Sequence, residues 1–325
     1  MAPNLYLATS GGLAIAEGSG GDWRVVGRAL EGDHATSVIA REGVILIGTR
    51  RGVFRSDDGG RTWDDASAGL AHRHVRWLAY HPDRSDLEFA GTEPATIFVS
   101  HDGARSWRQC EEVAALRDRL GWFLPYSPAA GCVRSFTLQG NRGYAAVEVG
   151  GLLRSDDGGE TWALAVGSDG IPRRGRPLAG RVHPDVHSVV GHPSSADLVY
   201  CPTGGGFYCS RDGGQAWECR YDCYCRAVWV DPADPDRLIL GPADGVDRNG
   251  RVEESRDGGA SWQVASDGLG VPWPRDMVER FAQVGDQLLA ALSGGQLFAA
   301  PLATLIWRRI LPDIAGVSAA ATMAG

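Results

Sequence analysis

Arginine residues stand at matching places in three short β-rich runs of the chain. Arg76 occurs in "HVRW", Arg134 in "CVRS" and Arg226 in "YCRA". A guanidinium is a rigid fork of donors, so several around one opening would bind a carboxylate, sulfate or phosphate through paired hydrogen bonds. The alternative is a set of structural ion pairs, because a buried arginine charge needs a matching acid. The nearby acids that could supply it are Glu93, Glu148, Asp185 and Glu279.

Two of these glutamates also raise the question of catalysis. Glu93 in "GTEPA" and Glu148 in "VEVGG" end equivalent predicted strands. Paired carboxyls act as acid and base in glycoside hydrolysis, but that chemistry requires a set separation between them, which sequence does not supply. The catalytic candidates of a hydrolase or lyase alternative, possible with help from a metal, are Glu93, Glu148, His187 and Glu279.

Histidines near two strand starts indicate a metal as a further alternative. Imidazole and thiolate side chains bind zinc and iron, but no close-spaced ligand motif is recognised here, and the sequence requires no cofactor. The candidate ligands are His74, His183 and His187, with His72, Cys132 and Cys225 beside them. His81 and His192 begin the turns "HPDRSD" and "HPSSAD" and are predicted to be structural.

Aromatic residues on long loops offer a second kind of contact. Trp122, Tyr126 and Trp273 could stack on a sugar or another ring, and they could equally seal these loops onto the body of the protein. The ligand-binding candidates are therefore these three aromatic residues, His74, and the arginines Arg76, Arg134 and Arg226.

Five cysteines gather in one part of the chain. A free cysteine usually serves as a small buried hydrophobe, although a thiolate beside Arg226 would be a reactive group. The five are Cys201, Cys209, Cys219, Cys223 and Cys225.

A nine-residue motif identifies the elements that position these side chains. "RSDDGGRTW" ends at Trp63 and returns in four variants. The motif serines are Ser56, Ser100, Ser155, Ser210 and Ser255, so the repeats are 44 to 55 residues apart. That spacing is typical of four-stranded propeller blades. Each motif is predicted to form the turn between the third and outermost strands of a blade.

The motif has a structural explanation at each fixed position. The aspartate and serine can accept turn amides, a glycine can adopt positive φ, and the indole can pack between blades. The structural aspartates are Asp58, Asp102, Asp157, Asp212 and Asp257. A calcium loop is the alternative, but the motif lacks a full set of oxygen ligands.

Two degenerate copies complete the architecture. "QLLAALSGGQLFAAPLATLIWRRI" keeps two strands and Trp307, whereas "NLYLATSGGLAIAEGSGGDWRVV" keeps three strands and Trp23 but lacks an innermost one. The segment "IAGVSAAATMAG" would supply that strand by pairing with the first blade. We therefore predict an all-β, seven-bladed β-propeller, closed by its C-terminal strand, as one domain over residues 1–325. Its inner strands would place Thr36, Arg76, Arg134, His187, Arg226 and Glu279 at the channel mouth.

The motif resembles the Asp-box, also called the bacterial neuraminidase repeat. This resemblance implies sialidases, glycosidases of neutral glucans, or non-catalytic relatives such as photosystem assembly factors and sorting-receptor propellers that hold peptides. Sialidases use three arginines on a carboxylate, which Arg76, Arg134 and Arg226 imitate, together with a Phe/Tyr-Arg-Ile-Pro stretch. Here the nearest stretch is "GIPRR" from Gly170, in another order. The resemblance therefore favours the fold over any one chemistry.

Composition narrows the function further. The net charge is -8 and no lysine occurs, so we expect neither a nucleic-acid partner nor lysine chemistry. No export signal or long apolar run is found, which predicts a cytoplasmic protein with free thiols and no membrane contact. The leading hypothesis is an arginine-lined upper pocket that binds an anionic small molecule, glycan or peptide. The loop-rich face could also contact a protein partner.

Overall fold

Short apolar runs separated by turns fold into seven antiparallel sheets of four strands, as described by a computed structural model. The structure describes residues 4–19, 22–127, 130–172 and 177–323. In chain order, the strands of blades 1 to 4 are β1 (Asn4–Thr9), β2 (Gly12–Ser19), β3 (Asp22–Ala29), β4 (Ala35–Arg41), β5 (Val44–Thr49), β6 (Gly52–Ser56), β7 (Asp64–Asp65), β8 (His74–Tyr80), β9 (Glu88–Glu93), β10 (Ile97–Ser100), β11 (Arg108–Gln109), β12 (Cys132–Gln139), β13 (Arg142–Glu148), β14 (Gly151–Ser155) and β15 (Ala163–Leu164).

The remaining strands are β16 (Val190–His192), β17 (Ser195–Thr203), β18 (Gly206–Ser210), β19 (Glu218–Tyr221), β20 (Tyr224–Asp231), β21 (Asp234–Ala243), β22 (Glu253–Ser255), β23 (Gln263–Val264), β24 (Val278–Val284), β25 (Gln287–Leu292), β26 (Leu297–Pro301), β27 (Arg308–Ile310) and β28 (Val317–Thr322). Blades 2 to 7 each take four consecutive strands, from β4–β7 to β24–β27. The predicted seven-bladed propeller is confirmed.

The C-terminal strand closes the ring. Blade 1 has the strand order β28-β1-β2-β3, and β28 pairs antiparallel with β1 from Leu5 opposite Thr322 to Thr9 opposite Val317. This pairing occupies the edge of β1 that would otherwise be open to other chains. The predicted closure is therefore confirmed.

The second strand of a blade is buried where both faces of the sheet are covered, as β5 and β13 show. In β5 and β13 every residue after the first is buried. A strand with one wet face would instead alternate apolar and polar residues. The motif indoles pack across the blade boundaries, as Trp162 of blade 4 shows by meeting Phe89 of blade 3 edge-on at 6.2 Å between centroids.

The repeated turn is held by its own polar side chains. The hydroxyl of Ser56 accepts the Gly60 amide (2.8 Å) and donates to Asp58 (2.9 Å). Asp58 also accepts the amides of Arg61 and Thr62, both at 2.9 Å, and the Thr62 hydroxyl at 2.7 Å. These bonds to the charged form hold the pKa of Asp58 far below its usual value. Both carboxylate oxygens are thus engaged in the turn.

Among the described residues, a helix departs from the all-β pattern in a segment predicted to be a long loop. Helix α1 (Glu111–Leu120) lies between β11 and β12, with acids in its first turn and Arg117 and Arg119 in its last. It ends at Gly121 in the left-handed conformation (φ 66°). These are ordinary helix-end signals, and they were missed. No helix among the described residues is both long and apolar enough to cross a bilayer.

Candidate functional site

A β-bulge recurs in six of the seven inner strands and aims one side chain of each at the channel. The register with the second strand shifts between Ala35 and Ser37, and equivalent shifts recur in β8, β12, β20, β24 and β28. A bulge leaves an extra residue unpaired and re-aims its side chain. The residues at these bulges are Thr36, Arg76, Arg134, Arg226, Glu279 and Ser318. All but Ser318 are predicted mouth residues.

The first group of charges crosses the channel from blade 4 to blade 7. Arg134 pairs with Glu148 at 2.8 Å and with Glu279, and Arg226 pairs with Glu279 at 2.8 Å and with Asp247 at 3.2 Å. Burial alone would raise the pKa of Glu279, but the two guanidiniums hold that pKa well below its usual value. Burial would also raise the pKa of Glu148, but Arg134, His187 and the Tyr126 hydroxyl together lower it. Both carboxyls are therefore ionised.

The second group lies in blade 3. Arg76 pairs with Glu93 at 2.9 Å, His74 lies 3.6 Å from the same carboxyl, and the Ser127 hydroxyl donates to it at 2.6 Å. Burial and then Arg76 lower the pKa of His74 to about 4, so its imidazole is neutral at pH 7. The three predicted arginines thus each have an acid partner, which is the structural alternative left open by the sequence.

The predicted aromatic residues separate in the structure. Tyr126 lies on the loop after α1 and its hydroxyl donates to Glu148 at 2.7 Å, so it belongs to the mouth. Trp122 is 3% exposed and donates to the Gly170 carbonyl, which ties two loops together. Trp273 packs against Phe298 at 6.1 Å between ring centroids. Only Tyr126 of the three contacts the predicted charges.

A cavity of about 210 Å³ opens at the mouth, and we call it the channel pocket. Its lining residues are His34, Thr36, Arg50, His74, Arg76, Trp77, Arg134, Glu279, Arg280 and Ser318. Four arginines of the lining therefore face one carboxylate, that of Glu279. This carboxylate already forms ion pairs with Arg134 and Arg226. The pocket carries an excess of positive charge.

Arg280 is the member of this lining that the sequence analysis missed. It donates to the Arg134 carbonyl at 2.8 Å and its guanidinium lies 4.2 Å from the centroid of the Trp77 ring. Across the described ranges, no carboxylate lies within 4.0 Å of its guanidinium. Burial and then Arg134 lower its pKa to about 9. Such a shift is expected of a cation that is partly desolvated among other cations.

A larger depression of about 350 Å³ lies at the outer edge of blade 5. It is lined by residues 177–181 and by β19, with Tyr208 and Trp217 behind them. None of the predicted site residues lines it. Part of the adjoining predicted loop, residues 173–176 with Arg173 and Arg174 of "GIPRR", lies outside the described residues.

His187 and His183 stand before β16, between blades 4 and 5. His187 is 1% exposed, and its Nε2 lies 3.3 Å from Asp185. His183 accepts the Asp185 amide through Nδ1 at 3.2 Å. The sequence predicts Asp185 only as an acid partner for arginines, although "HPDVH" places it midway between the two histidines. His74, in blade 3, belongs to the other group of charges.

The cysteines are all free thiols. Cys201, Cys209 and Cys225 are buried, Cys223 is partly buried and Cys219 is exposed. Burial raises the pKa values of Cys201 and Cys209 above that of a free thiol. A raised pKa means less thiolate, so these two behave as small hydrophobic residues.

Comparison with known proteins places the fold in a wide group. No family model matches the chain, and no curated protein sequence does. YCF48 from Cyanidioschyzon merolae superimposes with a TM-score of 0.64 at 15% identity over 91% of this chain and 90% of its own. A GH74 enzyme from Niastella koreensis superimposes with a TM-score of 0.64 at 16% identity, over 98% of this chain and 52% of its own. YCF48 bound to D1 peptide gives 0.61 at 15% identity, over 95% and 89%.

An ancestral GH74 enzyme is similar too, with a TM-score of 0.63 at 17% identity over 89% of this chain. This chain spans 38% of that enzyme's length. At such identities the likeness shows the propeller fold alone, because unrelated functions share such folds.

Proposed function

We propose that the protein binds a carboxylate-bearing ligand in the channel pocket. The observation that carries this proposal is Arg280, a cation that lines the pocket and has no carboxylate of the described residues within 4.0 Å. Arg50, at the rim, likewise has no described acid within ion-pair distance. A desolvated charge without a partner is costly, and a bound carboxylate would supply the missing one.

The pairing of the other arginines supports the same conclusion. Glu93 and Glu279 fix Arg76 and Arg134 in place, so these guanidiniums are held before a ligand arrives. Arginines fixed in this way lose little rotamer entropy on binding. The pocket therefore has both the charge and the rigidity expected of an anion site.

The dimensions favour a small group. A cavity of about 210 Å³ is below the range of roughly 300–1,000 Å³ that holds drug-sized ligands. We infer that it receives the acid end of a small molecule, glycan or peptide. We also infer that the chain is an Asp-box propeller. Its structural neighbour YCF48 has been solved with a bound D1 peptide.

Hydrolysis at this pocket has less support than binding. Glu93 and Glu148 are each held by an arginine and by a hydroxyl, from Ser127 and Tyr126 respectively. A general acid needs a raised pKa, whereas the pKa of Glu148 is lowered. Binding requires no such acid.

The test compares a short acetylated peptide bearing a free C-terminal carboxylate with the same peptide as its amide, by calorimetric titration. Hydrogen bonds to charged groups are worth about 1.5–3 kcal/mol. Arg280→Gln should therefore weaken binding of the free acid by about 10- to 100-fold, and the amide should bind weakly to both proteins.

Arg308→Gln is the matched control, because Arg308 forms an exposed ion pair with Asp22 on the outer edge of the ring. It should leave affinity unchanged. Equal affinity for acid and amide, or an Arg280→Gln variant that binds like the parent while remaining folded, would refute the proposal. Turnover of a carboxylated glycoside would instead favour the hydrolase.

A further inference from the structure

The geometry points to a divalent metal site formed by Glu148, Asp185 and His187, separate from the channel pocket. One ligand atom from each residue lies within 4.8 Å of the other two. Ligands bonded at about 2.1 Å to one ion lie roughly 3–4 Å apart. The three atoms therefore need to move little to bind the same ion.

The local fold brings these residues together from two blades. Glu148 ends β13 in blade 4, whereas Asp185 and His187 precede β16 in blade 5. The hairpin between β17 and β18 makes room for them, since a Cβ on Gly204 would stand 2.1 Å from Asp185 Oδ2. Because that distance is below any real Cβ contact, the carboxylate can occupy this position only beside a glycine.

One hydrogen bond of His187 determines which ring nitrogen could bind a metal. Its Nδ1 lies 3.0 Å from the Cys225 carbonyl, which can only accept, so Nδ1 carries the proton. A metal-bound histidine typically donates its other N–H in this way. Its Nε2 faces Asp185 Oδ1 at 3.3 Å and the Tyr224 hydroxyl at 3.3 Å.

Asp185 Oδ1 provides an independent indication. This oxygen is buried and has no hydrogen-bond partner of suitable geometry. A neutral His187 with its proton on Nδ1 would present a lone pair to the lone pairs of this oxygen. A cation between the two atoms removes that repulsion, and a second proton on the imidazole is the competing explanation.

The charge balance favours a cation at this site. The first group of charges, with Asp185, contains two guanidiniums and four carboxylates, contributed by Arg134, Arg226, Glu148, Asp185, Asp247 and Glu279. Arg280, whose charge also acts on Glu279, offsets one of the two negative charges in excess. The group therefore remains negative, which stabilises a bound cation.

The donor set indicates the class of ion. One imidazole nitrogen and two carboxylates are ligands of zinc and manganese rather than of calcium or magnesium, which prefer oxygen alone. Glu148 can contribute although Arg134 and Tyr126 contact it, because each carboxylate oxygen has two lone pairs. Three protein ligands leave a coordination position for water or a substrate.

The experiment titrates Zn²⁺ into the full chain after treatment with EDTA, with calorimetry and thermal unfolding as readouts. One equivalent should bind and raise Tm. Asp185→Asn, which keeps the side chain's shape, and His187→Asn should each lower Zn²⁺ affinity by about 100-fold or more. His101→Asn is the matched control, because His101 pairs with Glu160 at the surface, and it should change nothing.

Histidine ¹⁵N NMR of the parent protein tests the site without any variant. Zn²⁺ should shift the Nε2 resonance of His187 and leave Nδ1 protonated. An imidazole protonated on both nitrogens at pH 7 and unchanged by Zn²⁺ would refute the proposal. Binding of one equivalent of Zn²⁺ that persists in His187→Asn but disappears in Cys219→Ser would also refute the proposal, because that ion would be bound by the exposed thiol. Arg280→Gln should still bind Zn²⁺, so failure of the anion pocket is distinguishable.

Discussion

Stability should fall as pH rises from about 4.5 to about 7 because of one buried acid, Glu88. This residue begins β9 and is 1% exposed, and its Oε2 accepts the Ala104 amide at 3.0 Å. Burial outweighs the Ala104 and Ser100 hydrogen bonds and raises its pKa from the ordinary 4.5 to about 7. The carboxyl is thus neutral in the folded protein at pH values where it is ionised in the unfolded chain.

The sign and size of the effect follow from proton linkage. Between pH 4.5 and about 7 the folded state holds more protons than the unfolded state, so this group's contribution to stability declines with rising pH. One pKa unit corresponds to about 1.36 kcal/mol, which gives a total of about 3 kcal/mol. With an unfolding entropy of about 2.1 cal/mol/K per residue, the change in Tm is about 4–5 °C.

Glu88→Gln removes the titrating group and keeps an oxygen that accepts the Ala104 amide. The variant should match the parent near pH 4.5 and exceed its free energy of unfolding by about 3 kcal/mol at pH 8. Thermal and denaturant unfolding across this range measure the difference. Glu218→Gln is the control, because Glu218 is 65% exposed and pairs with Arg220, so it should change stability by less than about 1 kcal/mol. A difference between parent and Glu88→Gln that is independent of pH would refute the reasoning.

Two further predictions concern the ring and its turns. Val317→Asp places an unpaired carboxylate at a 3% exposed position of the closing strand, so it should lower the free energy of unfolding by more than about 3 kcal/mol. The control Ala315→Asp, at an exposed position, should have little effect. Equal denaturant midpoints for the two variants would contradict closure by β28. Ala216→Thr should add a hydroxyl bond to Asp212, equivalent to the bond that Thr62 donates to Asp58, and raise the free energy of unfolding by up to about 1 kcal/mol in denaturant unfolding. An equal gain in Ala216→Val, which has no hydroxyl, would contradict this explanation.

The sequence was sufficient for the architecture because the repeat is local. Each motif contains the serine and aspartate that make its own turn, so the number of blades could be predicted from the repeat. The two degenerate blades kept Trp23 and Trp307, which pack in hydrophobic clusters of the structure. The helix was missed because the segment was assigned by its position between strands rather than by its end signals.

The site was harder to predict because the partners are distant in sequence. Arg134 and Glu279 are 145 residues apart and meet only across the closed ring. Strict alternation along a strand would turn Arg280 away from Glu279, but the bulge between Val278 and Arg280 lets both line the pocket. No residue type marks that bulge in the letters. Asp185, by contrast, could have been found from "HPDVH".

Arg134 decides how the two proposed sites can be told apart. One of its nitrogens holds Glu148, a proposed metal ligand, while the other holds Glu279, which lines the channel pocket. Replacing Arg134 would remove a partner from both carboxylates. Weaker binding of the metal or of the carboxylate ligand would then not show which site had been damaged. Arg280 contacts neither carboxylate within ion-pair distance, and His187 is not part of the pocket lining. Each therefore reports on one site alone, which is why the tests depend on these two residues.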